Sequence, residues 1–357
     1  MFAKAVFPGK YLQGSGVLQE LPGLISSLGR KGLILTSPSV KKNILAGYDT
    51  GDIGVELFQG ECCEEELNRV QKLAEKIKVD VLIGMGGGKT IDTAKIVADR
   101  MGIAVIVMPT IASTDAPCSG CAVVYSKAGQ FEQVLYQKSN PAAVLVDSSI
   151  IASAPLRFLV SGMGDALATW FEARSCVQTH SVNECGGHCT LAGLSIAKLC
   201  YETLLNYGYL ARLACEKQIV TPALEHIIEA NILLSGIGFE SAGLASAHAI
   251  HNGLTALPET HAFYHGEKVA YGVLTGLHLT DATHNEIETV YAFCKKVGLP
   301  VTLADIGLAK ATREDLMKAA KMACAPDQAI CHEAGNITPE MVLDAMLAAD
   351  QYGLGIF

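Results

Sequence analysis

Four of the ten histidines, His248, His251, His261 and His265, fall within the weakly charged stretch Ser241 to Gly266. Imidazole is a common ligand for catalytic zinc, which takes three protein ligands and keeps one position open. A lone histidine on an apolar helix face more often serves as a hydrogen-bonded core residue, but four within one short segment point toward metal chemistry. His248 and His251 are three residues apart and share a face if the segment is helical. His265 directly precedes Gly266-Glu267-Lys268, which reads as a helix start. If a metal binds here, further ligands have to come from elsewhere in the chain.

A second chemical signal is Gly84-Met85-Gly86-Gly87-Gly88-Lys89-Thr90, which follows a strand-like run and opens a helix-like one. The phosphate loop of nucleotidases requires a glycine five positions before Gly88, where this chain has Ile83. The GxGxxG dinucleotide fingerprint fails as well, because Lys89 stands at its last glycine. The physics common to both motifs survives. Glycines admit a phosphate close to the backbone, and a helix N-terminus offers unpaired N–H groups and partial positive charge. The next strand-like run ends in Pro109 to Ser119, a hydroxyl-rich loop whose only carboxylate is Asp115. Asp115 reads either as an Asx turn before Pro117 or as a ligand contact.

The elements that must position these residues divide the chain in two. Up to residue 155, β-branched runs alternate with amphipathic stretches, the pattern of a parallel sheet covered by helices. Strands are expected at 31–36, 53–58, 79–84, 103–108 and 143–147, with helices at 64–78 and 91–101. Beyond Pro155 the pattern becomes helical, notably over 164–177, 192–205, 222–237 and 339–352. The expected architecture is an α/β domain, 1–155, plus an all-α domain, 156–357, with a cleft between them.

Size and composition narrow the function classes. A chain of 357 residues can bury its cores without a structural metal or disulfides. The net charge of −9 leaves no overall basic surface for nucleic acid. Twelve irregularly spaced cysteines behind a start, MFAKAVFPGKY, that does not resemble a secretory leader read as reduced thiols of a cytoplasmic protein. Neither the Cys118/Cys121 pair nor the cluster of Cys185, His188 and Cys189 has the paired spacing of a structural zinc site. Ser241 to Pro258 lacks Lys, Arg, Asp and Glu over a length that could span a bilayer, but its histidines, Asn252 and glycines favour a buried helix and no membrane partner.

Six blocks, in order, resemble one family: GMGGGKTIDTAK from Gly84, PTIASTDAPCS from Pro109, GMGDALATWFEAR from Gly162, AHAIHNGLTALPE from Ala247, HGEKVAYG from His265 and ADQYG from Ala349. They are similar to the glycerol dehydrogenases, the zinc-using branch of the group III, or iron-type, alcohol dehydrogenases, which share the dehydroquinate synthase-like architecture. The resemblance implies zinc-dependent oxidation of glycerol, or a similar small vicinal polyol, to dihydroxyacetone, with hydride transfer to NAD, in a homo-oligomer. It implies Asp165, His248 and His265 as metal ligands and catalytic residues, and Asp115 as the substrate contact. It also implies cofactor contacts at Gly86, Gly87, Gly88, Lys89, Thr110, Ser113, Ser119, Cys121 and Tyr125. Iron-using relatives carry a histidine four residues after the metal aspartate; here that position is Thr169, which favours zinc.

One position departs from the NAD-preferring pattern. Where those relatives carry an aspartate for the adenosine ribose, this chain has Ser37, with Lys41 and Lys42 nearby. Serine does not repel a 2′-phosphate, so NADP stays open beside NAD. A related NAD(P)/zinc enzyme acting on another alcohol or hydroxy acid stays open too. A dehydroquinate synthase-like lyase would need more basic residues than the acidic neighbourhood of Asp115 and Asp165 offers, and a phosphate-transfer NTPase meets the obstacle at Ile83.

Overall fold

A computed structural model describes residues 2–355. All eight named strands precede residue 148: β1 (Tyr11–Gly14), β2 (Gly32–Thr36), β3 (Gly54–Leu57), β4 (Val81–Gly86), β5 (Ala104–Pro109), β6 (Cys121–Tyr125), β7 (Phe131–Tyr136) and β8 (Ala143–Asp147). Six of them form one parallel sheet in the order β1-β8-β5-β4-β2-β3, and β6 and β7 form a separate antiparallel hairpin. β2, β4 and β8 are buried along their whole length. That follows from helices covering both faces, so that every side chain meets apolar surroundings and continuous Val/Ile/Leu runs replace alternation. The covering helices are α1 (Leu21–Leu28), α2 (Pro38–Asn43), α3 (Glu64–Lys76) and α4 (Gly88–Met101). Three glutamates in the first turn of α3 favour its positive end, and Gly102 ends α4 in the left-handed conformation.

The chain runs from β2 out to β3 and returns to β4 on the other side of β2. The carboxyl ends of β2 and β4 therefore flank a switch point of the sheet, where open α/β folds bind ligands. Ser37 follows β2, and the glycine loop follows β4.

After α5 (Ser148–Ser153) the chain is helical: α6 (Leu156–Thr179), α7 (Leu191–Glu216), α8 (Pro222–Glu229), α9 (Ser235–Ala242), α10 (Ser246–Leu254), α11 (His265–Leu279), α12 (His284–Val297), α13 (Arg313–Ala323) and α14 (Pro339–Gly355). One apolar cluster runs from Val107, Val144 and Val146 of the sheet through α6, α10 and α11. The two halves thus share a core, and the N-terminal segment reinforces the join: Val6 N donates to Ser241 Oγ, and Lys4 N to His188 O. α6 and α11 touch backbone to backbone. A Cβ on Gly266 would stand 1.8 Å from Ser161 O, so only glycine permits this crossing.

Several elements differ from the sequence expectation. β1 is four half-buried residues at a sheet edge, too short to carry a periodicity. The β6–β7 hairpin was not expected either; β7 is mostly exposed and alternates weakly. The helix expected at 222–237 is interrupted by a π-helical turn over Ala230–Leu234. The uncharged run from Ser241 is not one helix: Gly243, at φ 107°, breaks it, and the helices on either side meet at 102°. No single helix among the described residues is long and apolar enough to cross a membrane.

Candidate active site

Three helices meet at Asp165, His248 and His265. Asp165 lies in the middle of α6 and is fully buried. His248 is the third residue of α10, and His265 is the first of α11. His265 Nε2 lies 3.0 Å and His248 Nε2 3.5 Å from Asp165 Oδ1. One ligand atom from each residue falls within 4.8 Å of the others. A tetrahedral ion with bonds of about 2.0–2.1 Å spaces its ligand atoms about 3.3–3.4 Å apart. Asp165 Oδ1 is also buried without a hydrogen-bond partner, a costly state unless something else satisfies it. Donor types, spacing and the orphaned oxygen all fit a divalent metal. Thr169, one turn after Asp165, contributes no imidazole; its hydroxyl meets Ser235 Oγ at 2.9 Å.

Glu172 completes the cluster from behind. It sits two turns after Asp165 on the same helix face, is buried, and places Oε2 2.7 Å from His248 Nδ1. Its Oε1 accepts the backbone N–H groups of Ala245 and His248, fixing the start of α10. A carboxylate on the far nitrogen of an imidazole sets its tautomer and raises its basicity as a ligand. The sequence reading missed Glu172, although its i+7 spacing from Asp165 is the available signal.

The electrostatics follow from burial and proximity. Burial opposes charge on Asp165, but the imidazoles of His265 and His248 overcome it and hold the carboxyl well below its ordinary range. Burial alone would strip His248 of its proton, yet the Glu172 and Asp165 carboxylates raise its pKa well above the usual histidine value. His251 behaves oppositely: burial, then the positive fields of His265 and Lys268, push its pKa well down. Its ring packs edge-on to His265 with centroids 4.2 Å apart, and its Nδ1 meets Asn252 Oδ1 at 3.0 Å. His261 is exposed and bonds Thr255 O. The four histidines thus separate into two at the cluster, one packed beside it and one outside.

A single loop connects this cluster to the glycine loop. At one end Thr110 N donates to Gly86 O; at the other Asp115 N donates to Asp165 Oδ2 at 3.2 Å. Asp115 forms no Asx turn. Its Oδ2 accepts from Ser235 Oγ at 2.9 Å, and burial, followed by repulsion from Asp165, raises its pKa well above the carboxylate range. Asn231, in the π-helical turn, donates to Ala112 O, and Ser161 donates to Ser113 O. Glu240 accepts from Gly120 N. Ser235, Asn231 and Glu240 were not singled out in the sequence; residues that act by holding another loop's backbone carry no local motif.

At the other end of the loop, Gly86 closes β4, Gly87 caps α4, and Gly88 and Lys89 begin it. A Cβ on Gly88 would meet nothing within 4 Å, so the helix terminus is open to an incoming group. Lys89 Nζ lies 4.8 Å from the Tyr125 ring centroid. Ser37 caps α2, accepting from Val40 N. Ser119 is fully buried, donating to Ala116 O, and burial pushes the Cys121 thiol up to about 12. Buried Lys95 anchors both, donating to Cys121 O and, at 3.4 Å, to Ser119 Oγ. All twelve cysteines are free.

Comparison with known proteins agrees with this geometry. Residues 8–148 match the family model described as iron-containing alcohol dehydrogenase. The chain is 50% identical to a glycerol dehydrogenase of Thermotoga maritima, over 99% of this chain and 98% of the relative. It is 47% identical to one from Escherichia coli, over 97% and 96%. Among solved structures, a probable glycerol dehydrogenase from Sinorhizobium meliloti 1021 superposes with a TM-score of 0.94 at 45% identity, covering 99% of this chain and all of that one. The chain therefore belongs to the glycerol dehydrogenases of the iron-containing alcohol dehydrogenase family.

Proposed function

We propose that the protein oxidises glycerol, or a similar small vicinal polyol, to dihydroxyacetone or the corresponding ketone, with hydride transfer to NAD, and that zinc is held by Asp165, His248 and His265. The observation that carries this reading is the loop joining Thr110 to Asp115, which binds the glycine loop at one end and Asp165 at the other. When bound, zinc supplies a Lewis acid that can lower the pKa of a coordinated hydroxyl, for water from ~15.7 to about 7, worth about 12 kcal/mol at ~1.36 kcal/mol per unit.

The chain's own residues do the positioning. Glu172 holds His248 by Nδ1 and so turns Nε2 toward Asp165. Asp115 is oriented by Ser235 and by its own N–H on Asp165, and its carboxyl is the group to bind the polyol's second hydroxyl. His251, held neutral by burial and by neighbouring positive charge, forms a wall beside His265. The terminus of α4 receives the dinucleotide diphosphate on backbone N–H groups, and Ser37 stands where the adenosine ribose would lie. In this reading residues 1–155 bind the dinucleotide, residues 156–357 carry the metal, and the protein acts as a cytoplasmic homo-oligomer.

The test follows reduced-nicotinamide absorbance with glycerol and NAD or NADP, before chelation, after chelation, and after zinc is restored. The expected result is reduction of NAD, lost on chelation and recovered with zinc. Absence of nicotinamide reduction with any small polyol would contradict the dehydrogenase reading, and full activity after complete metal removal would contradict the metal assignment.

A further inference from the structure

Lys89 stands at the start of α4, where a diphosphate needs positive charge, yet its ammonium already has a partner. Glu61 Oε2 lies 2.6 Å from Lys89 Nζ. Glu61 is the more enclosed of the two, with its side chain 18% exposed against 45% for Lys89. Its other oxygen is engaged as well: Oε1 accepts from Cys62 N at 3.1 Å. A carboxylate therefore occupies the neighbourhood in which a helix N-terminus and a lysine would otherwise recruit an anionic ligand.

We propose that Glu61 is a built-in competitor of the dinucleotide diphosphate, limiting affinity by occupying Lys89 when the site is empty. The proposal rests on the dinucleotide reading above. Binding exchanges the Glu61–Lys89 pair for a phosphate–Lys89 pair and leaves the Glu61 carboxylate facing a second negative group. Both consequences weaken binding, and neither depends on the identity of the polyol. Exposed ion pairs change equilibria by about two- to fivefold, so a shift of about fivefold is expected when the competing charge is removed.

The experiment is calorimetric titration of the full-length protein with NADH, ADP and adenosine, using wild type, Glu61→Gln, Glu61→Asp, Lys89→Met and the Glu61→Gln/Lys89→Met double variant. Glu61→Gln is expected to bind ADP and NADH about fivefold more tightly. Adenosine binding should be unchanged, Glu61→Asp should behave as wild type, and the gain should shrink in the Lys89→Met background, where only the carboxylate–phosphate repulsion is relieved. A merely structural role for Glu61 would not produce tighter binding confined to diphosphate ligands. Unchanged or weaker ADP binding by Glu61→Gln, or a gain just as large without Lys89, overturns the proposal. If wild type and every variant fail to bind both ADP and NADH at millimolar concentration, the dinucleotide reading itself has failed.

Discussion

The glycine loop and the metal cluster are two ways of making a site from the same chain. The glycine loop is local: contiguous residues, a helix terminus, and a lysine nearly half exposed to solvent. The metal cluster is assembled from α6, α10 and α11, with Asp165 lying 83 positions before His248, and its aspartate is wholly buried. Solvent screens the charges of the first site, so each contributes modestly there. In the second, burial places the Asp165 carboxylate, paired with the His265 and His248 imidazoles, in a low-dielectric environment, where removing a partner is costly. Substitutions at the two sites should therefore differ in size as well as in kind.

The largest effect is expected from Asp165→Asn, which keeps the shape and removes the ligand charge. Metal content, measured by atomic emission after gel filtration, and turnover should fall together by more than about 100-fold. Turnover lost with zinc fully retained would instead make Asp165 a substrate residue. A smaller loss, about 10–100-fold in zinc affinity, is expected for Glu172→Gln, because the backing of His248 is weakened while all three donors stay in place.

The same pair sets the pH dependence. In the metal-free protein the pKa of His248 is raised, so its contribution to stability is fully present below the unfolded value near ~6.5 and is lost as pH rises through the folded value. Zinc must displace that proton, so competitive zinc titration should show weaker uptake at about pH 6 than at about pH 8. Equal uptake at both would contradict the assignment of His248 as a ligand. The smallest effect is the severalfold tightening expected for Glu61→Gln at the exposed site.

The same contrast explains what was legible in the sequence. Buried parallel strands such as Val81–Gly86 and Ala143–Asp147 announce themselves as apolar runs, and the glycine loop is readable because its chemistry is contiguous. His248 and His265 were flagged by density alone, but nothing local joined them to Asp165; block-by-block family resemblance supplied that link. Glu172, Ser235, Asn231 and Glu240 escaped because each acts by bonding a distant backbone or side chain. The edge strand Tyr11–Gly14 and the hairpin Cys121–Tyr136 escaped for a different reason: short or exposed strands carry little hydrophobic pattern.

The most direct test of the metal cluster is anomalous diffraction at the zinc edge from crystals of the zinc-loaded, active protein. A single peak within bonding distance, about 2.0–2.2 Å, of Asp165 Oδ1, His248 Nε2 and His265 Nε2 is the expected result. A peak elsewhere, for instance at Cys185 and Cys189, with none at Asp165, would contradict it.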